Sequence, residues 1–115
     1  MSVRREGGER EPEMTVRPMS TADARTVLRL SSEWQAEGAA RGHVADTLSE
    51  YRRFASGLSV VAIDGTGSVI GYLLSRRKDE KLAVFDTQGY VELEELYVVP
   101  GRRRQGVGSA LVERF

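Results

Sequence analysis

The chain has 115 residues and balances 17 Lys and Arg against 17 Asp and Glu, so its length suits one domain and its charge gives no reason to expect nucleic acid or membrane as a general partner. It has no cysteine and a single histidine, His43, which excludes thiolate and multi-histidine metal sites, and no metal is expected. No apolar run approaches the ~20 residues of a membrane-spanning helix, and the charged start lacks a secretory segment, so the expected location is cytoplasmic.

Residues 1–13 are charged, Gly-bearing and nearly free of apolar side chains. Burial cannot offset the entropy of ordering them, so they read as a flexible tail ahead of a domain over residues 14–115. Thr15, Val16 and Arg17 suggest a short strand ended by Pro18. Ser20 or Thr21 can cap a helix, with Asp23 in its first turn. Ala24, Val27, Leu28 and Ser31 share one face of it, and Trp34 follows one turn on. Gly38 and Gly42 break that helix. A second is expected from His43, with Val44, Leu48, Tyr51 and Phe54 as its buried stripe and Gly57 as its end.

The period then changes. Residues 58–63 and 68–74 are short apolar runs around Asp64-Gly65-Thr66-Gly67, the pattern of an antiparallel hairpin. Residues 76–81 read as a charged loop, residues 82–85 as a hairpin extension or a new short strand, and residues 86–89 as a turn. A long strand follows over residues 90–99, closed by Pro100-Gly101. Val107, Ala110, Leu111 and Val112 give a last helix its apolar face. The order is a strand, two helices, a run of strands, then a glycine-rich turn into a helix. The fold class is therefore α/β (α+β), with a mixed, mostly antiparallel sheet flanked by helices.

The strand at residues 90–99 carries Glu92, Glu94 and Glu95. Simple alternation puts Glu92 and Glu94 on one face and Glu95 on the other. Apolar residues stand at 91 and 93 but at both parities from 96 onward. A β-bulge near Glu94-Glu95 explains that switch, and so does a strand buried on both faces.

The turn that follows, with Gly106 and Gly108 before a helix, is the most informative segment. Helix N-termini present unpaired N–H groups and partial positive charge, and glycines let an anion approach that backbone. A Walker A loop would need lysine where Val107 stands. A Rossmann fingerprint would need a third glycine where Leu111 stands, inside a parallel unit that the preceding strands do not form. The pattern [RQ]-x-x-G-x-[GA] is matched by Arg103, Gly106 and Gly108.

That pattern resembles the acyl-CoA signature of the GNAT superfamily of N-acetyltransferases. "LEELYVVPGRRRQGVGSALV" looks like the family's fourth strand, pyrophosphate loop and third helix, and "VRPMSTADA" like its first strand and exit. The resemblance implies an acyl-CoA-dependent N-acyltransferase that moves acetyl from acetyl-CoA to a primary amine by direct attack in a ternary complex. It implies coenzyme contacts from Arg103, Arg104, Gln105, Gly106, Val107, Gly108 and Ser109, and from the backbone of Leu96, Tyr97 and Val98. It makes Glu94 the acceptor of the amine's proton, with Glu92 and Glu95 as runners-up. Trp34, Glu33 and Glu37 fall near the link between the first two helices, which in the family often borders the acceptor. The family continues past the third helix, so the expected domain is truncated after that helix begins, and it is weakly stable alone or completes itself in a homodimer. The rival readings are a non-catalytic acyl-CoA-binding module and an Arg-rich nucleic-acid module, the second opposed by the zero net charge.

Overall fold

The computed structural model describes residues 14–38, 42–78 and 90–115. The tail at residues 1–13 and the strand and turn expected over residues 82–89 lie outside them. Strand β1 (Met14–Pro18) leads through a 3-10 turn (Thr21–Asp23) into helix α1 (Ala24–Glu37). Helix α2 (Leu48–Phe54) precedes strands β2 (Val60–Asp64), β3 (Val69–Lys78) and β4 (Tyr90–Val98). A 3-10 turn (Pro100–Arg102) then enters helix α3 (Val107–Arg114). The sheet order is β1-β2-β3-β4, and all three pairings are antiparallel.

The sheet is covered on both faces. On one, α1 and α2 pack Val27, Leu30, Tyr51 and Phe54 against Tyr72 and Leu74 of β3. On the other, Val107 and Leu111 of α3 meet Val60, Ala62, Ile70 and Leu73. Gly71 makes the second contact possible. A Cβ there would lie 3.0 Å from the Tyr97 carbonyl oxygen and 3.1 Å from Val107 Cγ1.

Four expectations need correction. The second helix begins at Leu48, not near His43, because Thr47 caps it: its hydroxyl accepts the Glu50 N–H at 3.1 Å. Val44 therefore lies in a loop and is exposed rather than buried. Residues 76–78 belong to β3 rather than to a loop, since Arg76 pairs with Glu92 across the ladder. On α3 only Val107 and Leu111 are buried, while Val112 faces outward.

Candidate active site

The register of β3 and β4 decides where the three carboxylates of β4 go. Leu74 stands opposite Glu95 and Ser75 opposite Leu93, so the register skips Glu94, which is the extra residue of a bulge. Both explanations for the parity switch hold: the register shifts between Leu74 and Ser75, and beyond position 95 Tyr97 packs into one core while Leu96 and Val98 pack against the other. The bulge also corrects the simple alternation: Glu92 pairs with Arg76, Glu94 reaches the same arginine, and Glu95 stands beside Leu74, so all three glutamates share the α1–α2 face.

Glu95 sits at the centre of a hydroxyl cluster. Its carboxylate accepts from Tyr72 at 2.9 Å, Tyr51 at 3.1 Å and Ser31 at 3.2 Å. The Tyr51 hydroxyl also lies 2.7 Å from Ser31 Oγ, and it accepts the Asp46 N–H at 3.0 Å. Ser31 Oγ is 2.9 Å from Nε2 of His43, whose ring stacks on Trp34 at 3.9 Å. Burial, then the Glu95 charge, pushes the Tyr72 phenol far up. Burial pushes Tyr51 up to about 12, with Glu95 adding to the shift. Both phenols thus remain protonated donors at neutral pH.

Glu94 has a different environment. Arg76 Nε lies 3.7 Å from its carboxylate, and the same guanidinium holds Glu50 at 2.6 Å and covers the Phe54 ring at 4.6 Å.

The glycine-rich turn joins β4 to α3. Arg103 is extended, Arg104 takes a left-handed φ of 68°, and Gly106 caps α3 at φ 83°. The first N–H groups of α3, those of Val107, Gly108 and Ser109, have no acceptor within the helix. They point out of its positive end, the place where a helix receives a phosphate. Arg104 and Gln105 are exposed beside them. The Val99 N–H donates to the Ile70 carbonyl at 3.0 Å. Tyr97, two residues back, faces β3 in the same way, so Leu96 and Val98 direct their N–H and C=O groups to the other edge of β4. Among the described residues no strand pairs with that edge. Leu96, Gly108, Ser109, Val112 and Glu113 line a groove of about 370 Å³ between this edge and α3. A second cavity, of about 330 Å³, lies near Phe54, Gly57 and Arg76, away from the turn.

The three arginines of the turn do not point together. Arg102 holds Asp64 at 2.8 Å. Arg103 donates through Nε to the Val98 carbonyl at 2.7 Å and through Nη2 to Glu37 at 3.1 Å. Glu37 also accepts the hydroxyl of Tyr97, a bond that, with Arg103, holds its carboxyl below the usual range. Burial and that bond push Tyr97 up to about 12. The sequence places Tyr97 in a strand, Tyr51 on the buried stripe of a helix and His43 at a helix start. The structure gives all three polar partners.

The strand, the glycine turn on a helix N-terminus and the open strand edge beside it define an α+β fold with a four-stranded antiparallel sheet. The chain belongs to the GNAT acetyltransferase family, whose model matches residues 24–115. It is 36% identical over 102 residues, 85% of this chain, to aminoglycoside N(6')-acetyltransferase type 1 of Klebsiella aerogenes, and it spans 65% of that protein's length. Its fold matches aminoglycoside N-acetyltransferase AAC(6')-Iy, solved in complex with CoA, with a TM-score of 0.66 at 22% identity, over 91% of this chain and 68% of that one. It also matches a GNAT-family acetyltransferase from Streptococcus pneumoniae, with a TM-score of 0.66 at 15% identity, over 88% of this chain and 64% of that one. Among the described residues no group of acidic or histidine side chains could hold a metal ion, and no helix is long and apolar enough to cross a membrane.

Proposed function

We propose that the chain supplies the coenzyme-binding part of an acetyl-CoA-dependent N-acetyltransferase whose acceptor is a primary amine of an aminoglycoside. The observation that carries the donor is the pairing of two features. The N–H groups at the start of α3 suit the pyrophosphate, and the Leu96 and Val98 edge suits the amide-bearing pantetheine arm. The loop's contribution then comes from the backbone of residues 103–109, since the Arg103 side chain is already engaged.

The acceptor rests on the similarity to the Klebsiella enzyme. In this reading Glu94 takes the proton that the acceptor ammonium must lose, directly or through a water. The amine nitrogen then bonds to the acetyl carbon as the carbon–sulfur bond breaks; the sulfur leaves with the electron pair as thiolate and takes up the second proton, which the acylated nitrogen must lose. The N–H groups of Leu96 and Val98 polarise the thioester carbonyl. The chain's work is positioning and charge stabilisation, which fits a cytoplasmic enzyme needing no metal.

Acetylation of a panel holding an aminoglycoside with a free 6'-amine, a peptide N-terminus and a lysine peptide tests the reading. Turnover confined to the aminoglycoside is the expected result. Coenzyme binding without turnover on any amine would leave only the binding-module reading.

A further inference from the structure

A signature arginine beside a phosphate loop invites the assumption that its charge meets phosphate. Here the Arg103 guanidinium is committed to the protein. It bridges the Val98 carbonyl, at 2.7 Å, and the two carboxylate oxygens of Glu37, at 3.1 and 3.4 Å, and lies 5.3 Å from the Tyr97 ring centre.

Glu37 is oddly placed for a residue serving its own helix. It is the last residue of α1, and the last turn holds no basic side chain. A carboxylate there faces the negative end of the helix dipole, which disfavours it. Gly38 ends the helix directly behind it at φ 72°, with its N–H on the Gln35 carbonyl at 3.2 Å. The partners of Glu37 come instead from 60 and 66 residues further along the chain, as Tyr97 and Arg103. Trp34, one turn back on α1, stacks on Tyr97 at 5.2 Å and 20°, which fixes the helix end against β4.

On the other side of the bridge the turn is strained. Arg104, immediately after Arg103, holds a left-handed φ of 68° without being glycine. That conformation crowds the Cβ of any residue but glycine and persists only where the surroundings hold it. Arg103, pinned at two points, is the flanking residue that can do so.

We infer that Glu37 is a positioning residue for the coenzyme: through Arg103 it fixes the path of the turn that carries the phosphate-binding N–H groups. The inference rests on the acyl-CoA reading above and adds to it a residue of α1, outside the signature, as a determinant of affinity for the pyrophosphate half of the coenzyme. A turn already held in its bound path loses less freedom on binding, so releasing it weakens the ligand without removing a contact.

The test uses the whole chain and two ligands. CoA titrated by calorimetry reports on the loop, and S-acetylpantetheine, titrated by NMR, lacks the pyrophosphate and adenosine. Glu37→Gln keeps an acceptor for the Tyr97 hydroxyl but removes the ion pair. It should weaken CoA by roughly five- to thirty-fold and leave S-acetylpantetheine unchanged. Tyr97→Phe, which leaves the Arg103–Glu37 pair intact, should weaken CoA less. In an Arg103→Gln background, Glu37→Gln should have no further effect on CoA. Should Glu37→Gln melt too low to assay, Glu37→Asp, which keeps the charge on a shorter stem, should fall between it and wild type. Wild-type CoA affinity in Glu37→Gln, equal weakening of both ligands, or an undiminished effect in the Arg103→Gln background would each overturn the inference. If the unaltered chain binds no CoA, the acyl-CoA reading itself fails.

Discussion

Gly71→Ala should destabilise the protein and weaken coenzyme together, because one methyl group would separate α3 from the sheet. The added Cβ would stand 3.0 Å from the Tyr97 carbonyl oxygen, 3.1 Å from Val107 Cγ1 and 3.3 Å from Leu111 Cδ1. Comfortable carbon contacts lie near 3.5–4.0 Å. The carbonyl belongs to a paired strand and cannot turn aside, so the relief must come from α3, through its two buried residues. Overpacking of this kind costs about 1–3 kcal/mol. Alanine recovers about 0.5–1 kcal/mol by restricting the unfolded chain. The net loss is then about 0–2.5 kcal/mol, near 1 kcal/mol at the centre, which lowers the melting temperature by roughly 5 °C for a domain of this size. Urea unfolding should show a lower midpoint at an unchanged slope. Calorimetry with CoA should show weaker binding, since the displaced helix carries the N–H groups of Val107, Gly108 and Ser109. A Gly71→Ala protein as stable as wild type, with the same CoA affinity, would refute the packing argument.

Three further predictions follow from single sites. Gly106→Asp places a side chain and a negative charge on a backbone at φ 83°, so the rise in melting temperature that acetyl-CoA gives by linkage should vanish; a preserved shift would remove this turn from the coenzyme site. Glu94→Gln should lower kcat by about 100-fold, most at low pH where the amine is protonated, and leave CoA affinity unchanged; matched losses of turnover and CoA binding would mark Glu94 as structural. Asp23 is nearly buried, which resists its ionisation, yet the paired Arg17 bonds at 2.9 and 3.0 Å and the Ser20 N–H at 2.8 Å outweigh burial and hold its carboxyl below the usual range. A lowered folded value stabilises the protein above the unfolded value of about 4 and loses that contribution as pH falls through the folded one. Asp23→Asn should therefore cost about 1 kcal/mol at neutral pH, allowing for the partly exposed Arg17, and the gap in melting temperature should close in acid; a gap constant with pH would refute the ion-pair account.

The parts of the fold legible in the sequence were those whose cause is local. The 64–67 turn is written in Asp64 and Gly67: the Asp64 carboxylate accepts the Thr66 and Ser68 N–H groups at 2.9 and 3.0 Å, and Gly67 sits at φ 91°. Gly106 is legible for the same reason. The start of α2 was also legible, though Val44 drew attention to the wrong place. Thr47-Leu48-Ser49-Glu50 has the spacing of a capping box, and Thr47 does cap. What the sequence withheld depends on distant partners. Arg76 reads as loop until Glu50 and Glu92 are seen beside it. Glu37 reads only as a residue near the link between two helices until Arg103 arrives from the far end of the chain. His43 reads as a helix start until Ser31 and Trp34 are seen beside it.

The bulge in β4 shows why adjacent glutamates can hold different roles. Without it, Glu94 and Glu95 would face opposite sides of the sheet, and Glu95 would point at the α3 face with Leu96 turned toward α1. With it, both carboxylates reach the α1–α2 face and the apolar residues beyond position 95 still find the core, Tyr97 on one side and Leu96 on the other. Glu95 stays in the ladder opposite Leu74, beneath three hydroxyls whose donors come from α1, α2 and β3. Its loss would take the acceptor from the buried Tyr72 hydroxyl, at a desolvation cost of about 1–3 kcal/mol, while Tyr51 would keep Ser31 and Asp46. Glu94 lies outside the ladder, where the bulge sets its position and Arg76 Nε lies 3.7 Å from its carboxylate. The division of work proposed here, with Glu95 holding the two helices to the strand and Glu94 meeting the amine, follows from that one inserted residue.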